Sequence, residues 1–183
     1  YINHAIQAVN VDLNGMKIVV DCAEGASHYT SVEALKELGA EVFVVHNHPN
    51  GININANCGS THTDKFCEYV KNIDVDLGLT FDGDADRLGV IDEHGRYLHA
   101  NTLVVLLYYY LLKYKGWRGA AVRNIATTHL LDRVAAAFGQ ECIEVPVGFK
   151  HISAGMDKHD ALIGGESSGG LTVRGHISGK DGL

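Results

Sequence analysis

The sequence predicts an α/β protein made of two consecutive α/β/α sandwich domains, each built on a mostly parallel, mixed sheet. Three observations predict it. Short apolar, β-branched runs alternate with stretches whose apolar residues recur at helical spacing, the rhythm of βα units with helices on both sheet faces. The 183 residues hold two such units of about 90 residues each, inside the ordinary domain range. The two most polar loops, after Phe81 and after Gly164, both follow strands, the end at which open α/β sheets gather ligands.

Taken in order, Lys17 to Asp21 is an apolar β-branched strand followed by a turn at Glu24-Gly25-Ala26. Tyr29 to Leu38 carries Val32, Leu35 and Leu38 at helical spacing and stops at Gly39. Glu41 to His46 is the next strand, and Asn47 to His62 is too polar and Gly-rich for regular structure. Lys65 to Val70 reads as a helix, Val75 to Phe81 and Arg87 to Asp92 as strands, with a turn at Glu93-His94-Gly95. The first domain is placed at residues 1–97 and the second at 98–183. In the second, Asn101 to Tyr114 forms a helix ended by Gly116 and Gly119, and Ala120 to Arg123 a strand. Thr127 or Thr128 caps a helix that runs to Phe138 and ends at Gly139. Glu141 to Val145 is a strand, Pro146-Val147-Gly148 a turn, His151 to Lys158 a helix, and Ala161 to Gly164 the strand that leads into Gly165 to Gly170.

Composition narrows the function classes. Hydrophobic residues make up 46% and charged residues 20%, an ordinary globular balance. The formal charge of −7, from 15 Lys and Arg against 22 Asp and Glu, leaves no basic footprint for nucleic acid or an anionic membrane surface. The longest apolar run, Leu103 to Leu112, would span about 15 Å as a helix, half a bilayer core, and reads as buried. Nothing at the amino end resembles a signal peptide. The chain begins at Tyr1 and stops after Lys180-Asp181-Gly182, so it is expected to be an excised piece of a longer protein. Cys22, Cys58, Cys67 and Cys142 form no Cys-x-x-Cys pair and are expected to be reduced thiols of a cytoplasmic protein.

The chemistry concentrates in two loops. Asp82-Gly83-Asp84-Ala85-Asp86-Arg87 places carboxylates at i, i+2 and i+4, separated by small residues. If the loop curls they meet at one point, where a hard divalent cation such as Mg²⁺ offsets their mutual repulsion. Arg87 adds a fixed cation for a phosphate oxygen. An EF-hand would need glycine where Arg87 stands, and a haloacid-dehalogenase-type phosphatase would need Thr or Val where Asp86 stands. The second loop, Gly164 to Gly170, holds Glu166, Ser167 and Ser168 between glycine pairs, a set of acceptors and donors suited to vicinal sugar hydroxyls. Lys180 and His176 follow closely and can receive phosphate or move a proton. Lys150 and His151 sit where a helix opens, near free backbone N–H groups.

Together these motifs resemble the α-D-phosphohexomutase family, which includes phosphoglucomutase, phosphomannomutase and phosphoglucosamine mutase. The stretch Thr80 to Arg87 is similar to that family's magnesium loop and Gly165 to Gly169 to its sugar-recognition loop. Asn53 to His62 resembles phosphoglucosamine mutases, whereas Pro146 to His151 and His176 to Gly182 are more like bacterial phosphoglucomutases. The family has four domains, and the resemblance covers the second and third. The phosphoserine loop (Thr-Ala-Ser-His-Asn-Pro) and the phosphate loop (Arg-Pro-Ser-Gly-Thr-Glu) belong to the first and fourth and do not occur here. Ala26-Ser27-His28 echoes the former, but Tyr29-Thr30 stand where Asn-Pro is wanted, so Ser27 is expected to cap the following helix.

The resemblance implies an isomerase that moves phosphate between the 1 and 6 positions of a hexose through a phosphoserine and a hexose 1,6-bisphosphate. Asp82, Asp84 and Asp86 would hold Mg²⁺, and Arg87 would steady the phosphate. Glu166 and Ser168 would grip sugar hydroxyls, Lys150 and His151 would contact ligand, and Lys180 would act as general acid or base. Hexose phosphates and domains I and IV of the parent chain are the implied partners, with no nucleic acid and no membrane. The isolated piece is expected to be inactive. Ser167 departs from the Glu, Gln or Met of family members, and Gly170 stands where amino-sugar enzymes often carry His. Ser167 thus takes no side and Gly170 tilts the reading: glucose and mannose phosphates are favoured, with phosphoglucosamine mutase and a non-catalytic Mg²⁺- and sugar-phosphate-binding module as alternatives.

Overall fold

Two mixed sheets, one in each half of the chain, carry the fold. The computed structural model describes residues 1–9, 11–177 and 179–183. It separates into two units, Tyr1–Leu98 with Gly182–Leu183, and His99–Asp181. The first unit runs α1 (Ile2–Val9), β1 (Lys17–Asp21), α2 (Ser27–Glu37), β2 (Glu41–Val45), α3 (Asp64–Lys71), β3 (Leu77–Phe81), β4 (Leu88–Asp92) and β5 (Tyr97–Leu98). Its strands lie in the order β2-β1-β3-β4-β5. Strand β1 is central and buries both faces, so its alternation separates two cores rather than core from solvent. Ile18 and Val20 join Val32 and Leu35 of α2, while Val19 joins Phe66 and Val70 of α3.

The second unit repeats this plan with α4 (Ala100–Lys113), β6 (Ala121–Asn124), α5 (Leu130–Ala137), β7 (Cys142–Val145), α6 (Phe149–His159), β8 (Ile163–Gly165) and β9 (Leu171–Val173). The strand order is β7-β6-β8-β9. Ala121 packs with Val104, Tyr108, Leu112 and Leu131 on one face, and Val122 with Ile152 and Met156 on the other. The apolar run expected to be a buried helix is α4. Tyr108 is fully buried, its hydroxyl donating to the Gly119 carbonyl at 2.9 Å. Among the described residues no helix is long and apolar enough to cross a membrane.

Each sheet is parallel where a helix intervenes and antiparallel where it does not. β1 is parallel to β2 and β3, but β3 and β4 are antiparallel; β6 is parallel to β7 and β8, but β8 and β9 are antiparallel. Residues 82–87 and 166–170 are too few for the crossover of about a dozen residues that a parallel neighbour requires. Helix α1 and the short strands β5 and β9 are not foreseen from the sequence. β9 is only three residues long, too short for a period of its own, and exists through its pairing of Leu171 with Gly165.

Two capping expectations need correction. Ser27 is the first helical residue of α2, while the cap position falls on Ala26, which is already helical and makes no side-chain bond. The Ser27 side chain points inward, fully buried, and donates to the Cys22 carbonyl at 3.3 Å. Helix α5 begins at Leu130, later than expected. The Thr128 hydroxyl does accept the Leu130 N–H at 3.2 Å, but buried Thr127 donates to Asn124 Oδ1 at 2.8 Å instead.

Arg123, 2% exposed on β6, ties α5 to β7. It reaches Asp132 at 2.8 and 3.1 Å and Glu144 at 2.9 Å. Removing the guanidinium from a fully buried pair costs roughly 3–5 kcal/mol. Here Asp132 and Glu144 are 39% and 47% exposed and can regain water. Arg123→Met is therefore expected to cost about 2 kcal/mol, read as a lowered urea midpoint with an unchanged slope.

Candidate metal centre and glycine-rich glutamate loop

In both units the central strand sends the chain to one side and then to the other, so the loops after β1 and β3, and those after β6 and β8, flank a reversal of strand order. Such points form the ligand crevices of open α/β sheets. In the first unit the two loops touch directly. The Ala26 N–H donates to the Gly83 carbonyl at 2.9 Å, and a β-carbon on Gly25 would come within 2.3 Å of that oxygen. Gly25 is required by this backbone approach.

The aspartate loop curls as its spacing predicts. Ala85 takes a left-handed conformation, φ 62°, and its N–H donates to the Asp82 carbonyl at 3.0 Å. Asp82, Asp84 and Asp86 thereby bring carboxylate oxygens within 4.8 Å of one another. The Arg87 N–H donates to Asp82 Oδ1 at 3.1 Å, and its Nε lies 3.3 Å from Asp82 Oδ2 and 3.6 Å from Asp86 Oδ1. Burial pushes the Asp82 carboxyl above its usual range, the Arg87 amide opposes this, and the charges of Asp86 and Asp84 add to the rise. A group of hard oxygen donors that holds its own charge reluctantly fits a divalent cation, and these three residues are the ones that can hold it.

A second cluster, Asp21, His46 and Cys58, has ligand atoms equally close. It does not fit such a cation. Burial pushes the Cys58 thiol up to about 11, and a soft thiol is a poor match for a hard, oxygen-seeking divalent cation. Both Asp21 oxygens already accept backbone N–H groups, from Ala23 and Gly59. All four cysteines are free.

In the second unit Glu166 follows β8 and is 9% exposed. Its Oε1 accepts from Asn124 Nδ2 at 2.9 Å and from the Gly148 N–H at 3.3 Å, and Ser168 Oγ lies 3.5 Å from its Oε2. The carboxylate is thus held by the loop after β6, the amino end of α6 and its own loop. The stem of Lys180 lies over Gly170, where a β-carbon would come within 2.5 Å of Lys180 Cδ, and its Nζ is 6.0 Å from the Phe149 ring centroid. His176 Nε2 pairs with Asp181 Oδ2 at 2.8 Å. Lys150 is exposed and His151 half-buried in the first turn of α6.

Asp82, Asp84, Asp86 and Arg87 converge within the first unit. Glu166, Ser168 and Lys180 gather within the second, with Lys150 and His151 on the helix whose amino end faces Glu166. Sequence reasoning missed Asn124, which is 3% exposed. Its Oδ1 accepts from Ala126 and Thr127 while its amide holds Glu166. The available signal was its place at the carboxyl end of a central strand.

Known proteins agree with this architecture. The family model for phosphoglucomutase/phosphomannomutase, alpha/beta/alpha domain II, matches residues 1–95, and that for domain III matches residues 99–183. Phosphoglucosamine mutases of Clostridium botulinum (strain Eklund 17B / Type B) and Clostridium novyi (strain NT) are 37% and 38% identical to the whole chain. The chain spans 41% of the length of each. A phosphoglucomutase/phosphomannomutase family protein from Burkholderia thailandensis shares the fold with a TM-score of 0.82 at 23% identity, over 99% of this chain and 41% of that one. An Aspergillus fumigatus N-acetylphosphoglucosamine mutase, solved with GlcNAc-6P and magnesium, does so with a TM-score of 0.63 at 18% identity, over 94% of this chain and 38% of that one. With both units matched in order and along nearly their whole length, the chain belongs to the phosphoglucomutase/phosphomannomutase family, as its domains II and III.

Proposed function

We propose that the chain is the metal-binding and sugar-recognition part of an enzyme that interconverts hexose 1-phosphate and hexose 6-phosphate. The observation that carries this reading is the convergence of Asp82, Asp84 and Asp86 within 4.8 Å, with the Arg87 guanidinium beside them. Mg²⁺ bound there would neutralise charge on a transferring phosphoryl group. Arg87 steadies an oxygen of the same phosphate. Glu166 accepts from sugar hydroxyls and Ser168 adds a donor. Lys180 moves the proton of the attacking or leaving hydroxyl, and Lys150 and His151 at the start of α6 contact phosphate. In this reading the phosphoserine and the remaining phosphate contacts come from domains I and IV of the parent chain, which is cytoplasmic.

Two substrate readings have support. Gly170 favours glucose or mannose phosphates, whereas Ser167 favours none. Identity of 37% along the whole chain to phosphoglucosamine mutases favours glucosamine phosphate, and whole-chain identity outweighs one loop position. The test is turnover of glucose, mannose and glucosamine 1-phosphates by the full-length parent with Mg²⁺ and a trace of the matching bisphosphate. Preference for one sugar by about tenfold in kcat/KM assigns the substrate; turnover of none returns the non-catalytic binding module. The 183-residue chain alone is expected to turn over none of them, because Ser27, its nearest match to the phosphoserine, is fully buried. Activity of the isolated chain that disappears in Ser27→Ala would overturn this.

A further inference from the structure

The proposed metal chemistry makes no use of one further buried carboxylate in the first unit. Asp21 is the last residue of the central strand β1 and is fully buried. Burying a carboxylate costs free energy unless donors fill its lone pairs. Here donors come from three different segments. Oδ1 accepts the Ala23 N–H at 2.9 Å and lies 3.0 Å from His46 Nδ1. Oδ2 accepts the Gly59 N–H at 2.9 Å and, more weakly, the Thr80 hydroxyl at 3.4 Å. One side chain therefore joins the turn after β1, the long loop after β2 and the end of β3.

Each of those segments leads to the aspartate loop. The turn after β1 holds the Gly83 carbonyl through the Ala26 N–H. The Asn-rich loop donates from Ser60 N–H to the Phe81 carbonyl at 2.9 Å, directly before Asp82, and from Asn55 N–H to the Ala23 carbonyl at 2.8 Å. Ile54 and Asn55 lie so close that a β-carbon on Gly83 would come within 2.5 and 2.8 Å of them. Asp82 to Asp86 are thus wedged between two loops that share one anchor. Loop residues whose carboxylates repel will not converge unaided, and the backbone that forces them together needs a partner of fixed position.

We propose that Asp21 is a positioning residue for the metal centre, acting through the Ala23 and Gly59 amides to hold the two loops that make Asp82, Asp84 and Asp86 converge. The role rests on reading that cluster as a divalent-cation site. The probe is Mn²⁺, titrated into the full-length parent and followed by electron paramagnetic resonance, with hexose phosphate affinity measured separately by calorimetry in EDTA. Asp21→Asn turns an amide NH₂ toward donors that need an acceptor. It is expected to weaken Mn²⁺ binding about tenfold, the size of a lost charge-assisted hydrogen bond, and to leave sugar phosphate affinity in EDTA unchanged. Unchanged Mn²⁺ affinity would overturn the proposal. So would equal weakening of both ligands, which is what general loosening of the fold produces. If Asp21→Asn does not fold, the double variant His46→Ala, Thr80→Val removes two side-chain contacts and spares the carboxylate. About threefold weaker Mn²⁺ binding then supports the role, and none overturns it. Wild-type protein that binds no Mn²⁺, or binds it as well in Asp84→Asn, would remove the metal reading itself and the role of Asp21 with it. That result is separable from a failure confined to Asp21.

Discussion

Asp82→Asn in the full-length parent is expected to lower hexose phosphate turnover about 100- to 1,000-fold, equivalent to roughly 3–4 kcal/mol of transition-state stabilisation. The substitution removes the charge of the most buried member of the aspartate cluster and leaves the loop its shape, because an amide oxygen can still accept the Arg87 N–H. The same change should act on stability in the opposite direction when metal is withheld. Burial holds the Asp82 pKa above its ordinary 3.8, so the folded chain keeps this proton over a pH window in which the unfolded chain has released it. Where the folded state binds more protons, stability falls as pH rises. The wild type therefore loses stability between the ordinary value and the raised one, and stays at that lower level above it; Asp82→Asn does not. In EDTA at neutral pH the variant is expected to unfold at a higher temperature than the wild type, the gap closing as pH falls through the carboxylate range. With saturating Mg²⁺ the order should reverse, since only the wild type gains the full binding energy. A variant that loses activity while unfolding earlier in EDTA would point to a structural aspartate instead.

Glu166→Gln is expected to lower kcat/KM about 100-fold, the worth of one to two hydrogen bonds to a charged acceptor. Oε1 of Glu166 already accepts from Asn124 and Gly148, so the carboxylate is held in place, and in the proposed role its Oε2, beside the Ser168 hydroxyl, is the oxygen that would meet a sugar. In the amide variant the Asn124 and Gly148 donors claim the single remaining oxygen, and the NH₂ group replaces the acceptor that faces the ligand. Mn²⁺ affinity should be unaffected. Asn124→Ala should reproduce part of the loss by releasing Glu166, whereas Ser168→Ala should cost about threefold, as expected for a longer and neutral contact. Equal loss in kcat/KM and Mn²⁺ binding on Glu166→Gln would show that the change unfolds the chain rather than disarming a sugar contact.

Much of this site was legible from the residues because it is local. The i, i+2, i+4 spacing of Asp82, Asp84 and Asp86, with only glycine and alanine between them, permits a curl that brings the three together, and Ala85 takes the left-handed turn within it. The glycines of Gly165 to Gly170 are expected to let a ligand approach; at Gly170 the space a β-carbon would fill is taken by the Lys180 stem. The caps were less legible. Ser27 has the residue type of a cap but turns inward to a carbonyl, because its position relative to the core, and not its chemistry, decides which way the side chain points. The antiparallel edges β5 and β9, and the antiparallel direction of β4, were hidden for a related reason: an apolar run of a few residues does not say which neighbour it will pair with or in which direction.

The sequence by itself determined the order of the helices and strands other than α1, β5 and β9, the presence of two α/β/α units, and the two loops to which the chemistry is assigned. Periodicity, turn residues and short-range spacing all act within a few residues. Only the tertiary structure decided that Asp21 reaches Gly59, 38 residues away, and that Asn124 holds Glu166 across 42. Those contacts arise from strand order. β6 lies beside β8, so Asn124 and Glu166 at the carboxyl ends of neighbouring strands become partners, while β2 lies beside β1 and its following loop folds back so that the Gly59 N–H meets Asp21; no local pattern in the chain records which strands will be neighbours.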